Sequence, residues 1–337
     1  MKKTIILANF GGPRHLQEIQ PFLTELLSDK EVVRTQLPQI LHNFIFKRVA
    51  KKRARRVAKD YELIGGKSPI YEDTEKLRFL IEEKTNHRVL TFHRYLPSTH
   101  KFFIDAVNQI QEEEQILVFP LFPQFSYATS GSIALFFKRH LCRHIVNKLR
   151  WIKSYAAHFA FVESSVACIS EFLKKHEIDE EETLLFFSAH GVPKKFICTG
   201  DIYQSECELS YKKIAEAFPK SSSLLAYQSQ FGKQIWIKPY TAEVCAGISS
   251  HQQKRKNVVF IPISFTSDHV ETLFEIEYQY LPVIREQGLN AFRCPALNLR
   301  PDWIDGIVKI LEEPNVLGNQ MLIRHPKEVY CCTRENC

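Results

Sequence analysis

The residues best suited to chemistry in this sequence are histidines and glutamates that follow two apolar runs. His190 stands in the segment Phe187–Pro193, among small residues and directly before a glycine. Glu271 and Glu275 are four residues apart, so they share one face of a helix, and His269 precedes them closely. Histidine exchanges a proton near neutral pH and binds divalent metals. Gathered at one site, two histidines and two glutamates would suit a divalent metal or a proton relay.

The same residues have plainer interpretations that spacing alone leaves open. A histidine at this position can be hydrogen-bonded to local backbone without taking part in chemistry. Asp268, followed three residues later by Glu271, resembles a helix-capping arrangement, and acids are favoured in a first helical turn. The presence of His269, and of His190 at another strand end, favours the chemical interpretation.

Two further segments could face a ligand. Asn9–Pro13 holds two glycines that let the backbone turn tightly or approach a ligand, but it lacks the dinucleotide-binding pattern. Tyr227–Gly232 is followed by Trp236, whose ring could stack on a flat ligand or cap a core. Neither segment identifies a ligand by itself.

One basic segment accounts for the net charge of +7. It places eight basic residues and no acid in thirteen positions: Lys47, Arg48, Lys51, Lys52, Arg53, Arg55, Arg56 and Lys59. Such a segment suits an anionic membrane surface, a carboxylated ligand or nucleic acid, or it is simply a solvated helix face. Nucleic acid is disfavoured, because a binder of this kind needs basic residues spread over a surface or a recognised module.

The elements that must position these residues recur regularly along the chain. Short apolar runs alternate with segments of helical spacing such as Val162–His176, Glu206–Phe218 and His269–Gln287, which predicts an α/β fold with parallel sheets. In such folds ligands bind beyond the carboxyl ends of the strands, where His190 and Glu271 fall. The predicted strands are Thr4–Ala8, Val89–His93, Ile116–Leu121, Trp151–Tyr155, Leu184–Ala189, Leu224–Gln228, Val258–Ile263 and Asn290–Cys294.

Length and composition indicate the number of domains and the class of protein. A chain of 337 residues is about right for two domains, with four strands in each half and a boundary near residues 145–155. No apolar run reaches the roughly 18 residues that span a membrane, and the first apolar run is expected to be a strand rather than a signal peptide. Nine scattered cysteines predict reduced thiols and a cytoplasmic location.

Taken together, the strand-end segments resemble the ferrochelatase family. The similarity extends over almost the whole chain, and two segments of it, Ser188–Gly191 and Ser267–Leu273, are specific. The matching segments are Asn9–Pro13, Ile64–Ile70, Arg94–Tyr95, Phe187–Pro193, Tyr227–Ser229, Trp236 and Ser267–Leu273.

The resemblance implies two Rossmann-like domains with parallel four-stranded sheets flanked by helices, and a porphyrin in the cleft between them. We expect an N-terminal domain over 1–150, a C-terminal domain over 151–305, and a final helix and tail over 306–337. By resemblance, His190 and Glu271 are catalytic, face each other across the macrocycle and bind the metal. Glu275 would continue a row of acidic side chains outward along the same helix, which we call the acidic line. The family extends that line by one more turn, where this chain has Gln279.

The resemblance also assigns residues that would bind the substrate. Phe10, Tyr95 and Trp236 would form the walls around the porphyrin, and Arg94 and His269 would lie among the binding residues. By family position, the porphyrin propionates would be contacted by Arg53, Arg56 and Ser68.

The implied activity is insertion of Fe²⁺ into protoporphyrin IX to form protohaem, the reaction of a lyase in haem biosynthesis. The alternatives are a chelatase for another tetrapyrrole, such as coproporphyrin III, and a carrier that binds tetrapyrroles without catalysis. The expected partners are protoporphyrin IX and ferrous iron, with peripheral contact to an anionic inner membrane through the basic segment and no nucleic acid.

Some members of the family hold a [2Fe–2S] cluster with C-terminal cysteines and one internal cysteine. The tail offers Cys331, Cys332 and Cys337, but without the usual spacing, and Tyr127 occupies a position where some relatives have a ligand cysteine. We therefore expect no cluster in this chain.

Overall fold

A computed structural model of the chain describes residues 3–110, 115–232, 234–251, 255–313 and 317–318. Their contacts divide them into two compact units. Within the described residues, the first unit holds 3–122, 126–154 and 308–318, and the second holds 123–125 and 155–307. The domain boundaries at 150 and 305 stay predictions.

The first unit is built on a sheet whose strands are apolar along most of their length. The strands are β1 (Lys3–Asn9), β2 (Arg88–His93), β3 (Gln115–Pro120), β4 (Leu149–Ile152) and β9 (Leu317–Gly318). Their order is β2-β1-β3-β4-β9, and the first four are parallel. β1 is buried from its second residue onward, as expected for a central strand covered on both faces.

The helices of the first unit lie between these strands. They are α1 (Ile19–Ser28), α2 (Gln39–Glu62), α3 (Ile70–Thr85), α4 (Pro97–Asn108), a π-helical turn at Tyr127–Gly131, α5 (Ser132–His140) and α6 (Arg143–Lys148). The basic segment lies on α2, the longest helix described. Across the described residues, no helix combines the length and the apolar character that crossing a bilayer requires.

The second unit repeats the strand–helix alternation. Its strands are β5 (Thr183–His190), β6 (Ser222–Gln228), β7 (Asn257–Pro262) and β8 (Asn290–Arg293), in the order β6-β5-β7-β8 and all parallel. Its helices are α7 (Phe159–Lys175), α8 (Lys194–Cys198), α9 (Tyr203–Ala215), α10 (Thr241–Ala246), a π-helix over Glu271–Tyr280, α11 (Leu281–Arg285) and α12 (Pro301–Glu312), the last of which ends in the first unit.

The core of the second unit lies where helices cover its central strands. Phe186 of β5 stacks on Phe260 of β7 with ring centroids 4.2 Å apart, and Ile276 and Leu281 pack in the same cluster. Because β5 is central, β6 and β7 lie on either side of it, so their carboxyl ends meet beside the end of β5. The sheet order therefore places the segments after β5, β6 and β7 at one edge.

The predicted fold class is confirmed, since each of the eight predicted strands is present and both units are parallel α/β sheets flanked by helices. One strand was not predicted. β9 adds two residues to the first sheet and runs antiparallel to β4, so that sheet has four parallel strands and a short fifth one.

The helix predicted over His269–Gln287 has a different geometry. Ten of its residues, Glu271–Tyr280, form a π-helix, and α11 follows from Leu281. Pro282 lies in the first turn of α11, where it has no N–H to donate back into the preceding turn. In a π-helix one turn is wider than in an α-helix, so residues four apart still lie on one side.

Candidate active site

His190 is the last residue of β5, and its backbone is fixed from two other elements. The main-chain N–H of His190 donates to the hydroxyl oxygen of Ser264, which follows β7, at 3.0 Å. Its main-chain carbonyl accepts a hydrogen bond of 3.0 Å from the Tyr203 hydroxyl at the start of α9. The side chain of His190 is 30 % exposed, so it is held in place and still accessible.

The imidazole of His190 faces the carboxylate of Glu271. The Nδ1 atom is hydrogen-bonded to the carbonyl of Gly191, which leaves Nε2 at 3.4 Å from Glu271 Oε1. No macrocycle fits between two side chains at this distance, so the expectation that they face each other across one is not met in this structure. Burial lowers the pKa of His190, but the charge of Glu271 and its hydrogen bond outweigh burial and raise the pKa to about 9. Near neutral pH, His190 is therefore an imidazolium paired with a carboxylate.

Glu271 lies between two imidazoles. The Nε2 atom of His269 is 3.6 Å from Glu271 Oε2, too long for a hydrogen bond, while His269 Nδ1 contacts the carbonyl of Ser267. Burial alone would raise the pKa of Glu271, but His190 and His269 hold it well below its usual range. Oε2 of Glu271 and Nε2 of His269 are both buried without a hydrogen-bond partner. Such a pair of atoms is suited to receive a cation or a proton.

Glu275 lies one turn further along the π-helix and has different partners. Its Oε2 atom accepts hydrogen bonds from the Ser229 hydroxyl at 2.6 Å and from Gln228 Nε2 at 3.1 Å. Burial, with repulsion from Glu271, raises the pKa of Glu275 to about 7 in spite of these hydrogen bonds. The two carboxyl groups therefore differ: Glu271 is ionised, and Glu275 exchanges a proton near neutral pH.

Gln228 and Ser229 were not predicted as site residues. The Gln228 amide accepts from the Ser188 hydroxyl at 2.6 Å and donates to the main-chain carbonyl of Glu271 at 2.8 Å. Ser229 has a φ of +66°, in the left-handed region, which costs a serine energy. The signal for them was present, because both follow β6 and both lie in a segment that matched the family.

The loop before the π-helix is held by Asp268. Its carboxylate accepts hydrogen bonds from Arg293, Asn298 and Thr272 at 2.9, 2.9 and 2.7 Å. The main-chain N–H of Asp268 donates to the Asn298 side chain, so it is not capped by Glu271. The capping interpretation of Glu271 is therefore wrong, and its carboxylate is available to face His190.

Aromatic side chains surround His190. The rings of Trp236 and Phe265 lie 6.5 and 6.3 Å from the His190 ring, and Phe231 packs edge-on against Trp236. Trp236 pairs through its backbone with Pro193, the last residue of the segment that holds His190, and its ring is buried.

Comparison with known proteins identifies the family of the chain. A family model described as ferrochelatase matches residues 2–314. The chain belongs to the ferrochelatase family. Similar proteins named ferrochelatase include one from Chlamydia abortus (strain DSM 27085 / S26/3), 39% identical over 324 residues, which covers 96% of this chain and 100% of that protein. The protein of that name from Chlamydia pneumoniae is 39% identical, with 96% of this chain and 97% of that one covered.

Solved structures show the same fold at low sequence identity. The structure of CbiX, described as the terminal enzyme for biosynthesis of siroheme in denitrifying bacteria, matches with a TM-score of 0.50 and 12% identity, covering 92% of this chain and 98% of that one. DR2241 from Deinococcus radiodurans, described as a multi-domain protein with structural similarity to chelatases, matches with a TM-score of 0.50 and 11% identity, covering 93% of this chain and 55% of that one. The predictions of a chelatase-type fold and of a ferrochelatase, an enzyme of the lyase class, are confirmed.

The predicted wall residues of the first unit, Phe10 and Tyr95, belong to one network of contacts. Phe10 follows β1 and packs on the Tyr95 ring with centroids 4.8 Å apart. Asp29 accepts hydrogen bonds from Arg94 Nη2 at 2.7 Å and from the Tyr95 hydroxyl at 3.1 Å, and Ser132 also donates to it. Phe10 is half-buried, whereas Tyr95 is fully buried. In this arrangement Tyr95 supports Phe10 and has no surface to offer a ligand.

The predicted propionate-binding residues differ in exposure. Arg53 and Arg56 lie three apart on α2, with Arg53 half-buried and Arg56 exposed. Burial and the charge of Arg56 lower the pKa of Arg53, so the two guanidinium groups repel each other. Ser68 is buried against Gly12, where a side chain added to the glycine would lie 2.5 Å from Ser68 Cβ. A contact of Ser68 with a ligand stays a prediction.

Groups of three or more His, Cys, Asp or Glu arranged to hold a metal ion are absent from the described part of the chain. The family implies ferrous iron as the substrate metal. Cys331, Cys332 and Cys337, the tail cysteines weighed as cluster ligands, lie outside the described residues.

Proposed function

We propose that the chain inserts Fe²⁺ into protoporphyrin IX to form protohaem, with His190 and Glu271 as the catalytic pair and the residues that bind the metal. The observation that carries the proposal is the position of the Glu271 carboxylate, 3.4 Å from His190 and 3.6 Å from His269. One carboxylate between two imidazoles offers ligands for a divalent ion and groups that exchange protons.

Metallation of a porphyrin requires the pyrrole nitrogens to lose two protons while the hydrated cation sheds water. In the resting state His190 is protonated because Glu271 is its counter-charge. When Fe²⁺ approaches Glu271, that counter-charge is shared, the pKa of His190 falls, and His190, whose side chain is partly exposed, can release its proton to water. The neutral imidazole is then a base suited to accept a pyrrole proton. Coulombic coupling thus links delivery of the metal to activation of the base.

Glu275 has a distinct role in this proposal. Its carboxyl group has a pKa of about 7, so it can bind a cation in one state and carry a proton in the other. Gln228 and Ser229 orient it toward one side of the π-helix. Since Gln279 follows where the family has another acid, the acidic line in this chain consists of Glu271 and Glu275.

For the porphyrin itself, we propose contacts that follow the resemblance and the local geometry. Phe10 contacts the macrocycle, and Trp236 forms the wall beside His190 from a largely buried position. Arg53 and Arg56 contact the propionates, because guanidinium groups bind carboxylates with two hydrogen bonds. Ser68 and Tyr95 support these contacts from buried positions and Arg94 from a half-buried one, and His269 acts beside Glu271.

The number of propionate contacts favours protoporphyrin IX over coproporphyrin III, the second candidate substrate, because the latter carries four propionates. A carrier that only binds tetrapyrroles would need the aromatic residues but not a histidine opposed to a glutamate. The ion pair between His190 and Glu271 therefore favours the enzyme.

We also propose a cytoplasmic location with peripheral contact to an anionic membrane through α2. The first half of this helix exposes apolar side chains, with Ile40 87% and Phe44 52% exposed, and the basic segment follows directly. Exposed apolar residues beside lysines and arginines suit the boundary between lipid headgroups and acyl chains.

The test is an anaerobic assay of the purified protein with Fe²⁺ and protoporphyrin IX, followed by absorption spectroscopy. We expect the spectrum of protohaem to appear with the wild type. The His190→Ala variant should bind porphyrin, seen as fluorescence quenching, without forming haem. Coproporphyrin III is the parallel substrate, and faster metallation of it would reverse the substrate assignment. Near-normal turnover of His190→Ala would remove His190 from the mechanism.

A further inference from the structure

Two buried thiols lie against each other in the second unit. Cys168 is on α7, and Cys294 directly follows β8, 126 residues later in the chain. Their sulfur atoms are 3.9 Å apart, and the residues are only 4 % and 1 % exposed. Neither residue contributes to the site around His190, so the mechanism leaves this pair unused.

The two thiols are not equivalent. A hydrogen bond with Cys294 lowers the pKa of Cys168 although burial opposes it, and the positive charge of Arg300 acts in the same direction. The pKa of Cys294 is raised well above its usual range by the same hydrogen bond and by burial. Cys168 is thus the better nucleophile, and Cys294 keeps its proton as a neighbouring thiol.

We propose that Cys168 and Cys294 form a site of oxidative modification, at which a peroxide converts the two thiols into an intramolecular disulfide. The Cys168 thiolate attacks one peroxide oxygen, the O–O bond breaks, and a sulfenic acid and hydroxide form. The sulfur of Cys294 then attacks the sulfenic sulfur, the S–O bond breaks as the S–S bond forms, and the hydroxyl group leaves as water with the proton of the Cys294 thiol. The thiols lose two electrons, and hydrogen peroxide is reduced to two molecules of water.

The geometry makes this bond accessible with a small movement. A disulfide needs its sulfur atoms at about 2.05 Å, so they must approach by roughly 2 Å. Cys168, in the middle of α7, and Cys294, directly after β8, can each supply part of this movement. Burial limits the reagent to a small, neutral oxidant such as hydrogen peroxide.

Disulfide formation should disturb the candidate active site through Arg293, the residue before Cys294. Arg293 donates to Asp268 at 2.9 Å and to Glu277 at 2.8 Å. Asp268 holds the loop before the π-helix, and Glu277 lies on the π-helix itself. A displacement of Cys294 therefore moves the arginine that connects this loop to this helix.

The experiment treats the full-length protein with hydrogen peroxide, alkylates the remaining thiols under denaturing conditions and maps the peptides by mass spectrometry. We expect a peptide linking Cys168 to Cys294, two mass units below the sum of its reduced parts and separated again by dithiothreitol. The Cys168→Ser variant should form neither the link nor a sulfenic acid at this site. The Cys294→Ser variant should accumulate the sulfenic acid of Cys168, trapped with dimedone.

Cys245→Ser is the matched control, because Cys245 is equally buried but lies in the apolar core beside Val244 and Ile248. This variant should link as the wild type does. In the wild type, oxidation should lower the rate of metal insertion at least threefold, and dithiothreitol should restore it. An unlinked pair after peroxide treatment, or a link from either cysteine to another partner, overturns the proposal. A formed link with unchanged turnover overturns the connection to the active site.

Discussion

The Tyr203 hydroxyl donates a hydrogen bond to the main-chain carbonyl of His190, 3.0 Å away. Tyr203 is itself buried at the start of α9, so its ring is fixed by packing. The same peptide segment is held on its other side by Ser264, which accepts from the His190 N–H. The backbone of His190 is therefore set by residues from two elements that carry no chemistry of their own.

Removing the Tyr203 hydroxyl should loosen His190 without changing the histidine. In a Tyr203→Phe variant the carbonyl of His190 loses a buried donor, which costs on the order of 1–3 kcal/mol of stability. We expect a lower melting temperature and a several-fold lower rate of metal insertion, with porphyrin affinity unchanged. Thermal melting, fluorescence titration and turnover measure the three quantities. A variant that melts lower but keeps full turnover would limit Tyr203 to a structural role.

The two glutamates of the π-helix should differ in their effect on turnover. Glu271 contacts His190 directly, whereas Glu275 contacts Gln228 and Ser229. We expect Glu271→Gln to reduce the rate of metal insertion by about tenfold or more, and Glu275→Gln to reduce it less. Equal rates in the two variants, or the reverse order, would contradict the proposed direction of the acidic line. Melting curves show whether either variant has lost stability instead.

The raised pKa of Glu275 also predicts a pH dependence of stability. Its pKa is about 7 in the folded protein against 4.5 for the ordinary side chain. The folded state therefore keeps the proton that the unfolded chain releases. The resulting stabilisation is fully present below pH 4.5 and is lost as the pH rises to 7, by up to about 3 kcal/mol.

A Glu275→Gln variant keeps a neutral side chain at every pH. Compared with the wild type, it should therefore gain in melting temperature between pH 5 and pH 8. Glu277→Gln is the matched control on the same helix, because its carboxylate pairs with Arg293 and its loss should not reproduce this gain. If the difference in melting temperature between Glu275→Gln and the wild type stayed constant from pH 5 to pH 8, the raised pKa of Glu275 would be contradicted.

The two arginines of α2 should bind the propionates. Changing both Arg53 and Arg56 to Ala should weaken porphyrin binding by about tenfold or more, since a hydrogen bond to a charged group contributes roughly 1.5–3 kcal/mol. Fluorescence quenching gives the dissociation constants. A porphyrin diester, which has no carboxylates, should bind wild type and double variant alike.

A membrane role for the same helix gives a different result, namely unchanged binding of the free-acid porphyrin with weaker association to anionic vesicles. If the double variant bound the free acid as tightly as the wild type, the propionate contacts would be excluded. Lys47 and Lys51 lie on the same helix and offer a charge-matched pair whose substitution should leave porphyrin affinity unchanged.

The sequence was sufficient to predict the main candidate site residues but not the side chains that hydrogen-bond to them. His190 and Glu271 could be predicted because each follows an apolar run, and parallel strands end at one edge of a sheet. The hydrogen bonds of Gln228 and Ser229 to Glu275 could not be predicted, because they depend on β6 and β7 both lying beside β5. Sequence spacing gives no order for the strands in a sheet.

Two further features, the π-helix and the burial of Tyr95, could not be predicted from sequence patterns, for physical reasons. Helical periodicity cannot separate a π-helix from an α-helix when the residues that matter are four apart, since both place Glu271 and Glu275 on one side. Tyr95 could be assigned to a ligand wall by family position, but its burial depends on the packing of Phe10 and Asp29 around it. Burial of one side chain depends on neighbours that are distant in sequence.

The short strand β9 has a consequence for how the chain behaves among its own copies. Its two residues pair with Trp151 and Ile152 of β4, which is otherwise the last strand of its sheet. An uncovered outer strand presents free N–H and carbonyl groups to which a strand of another molecule can add, the first step of aggregation. Leu317 and Gly318 occupy that position beside β4, so a chain shortened to residue 313 should leave this stretch of β4 open to pairing with another molecule.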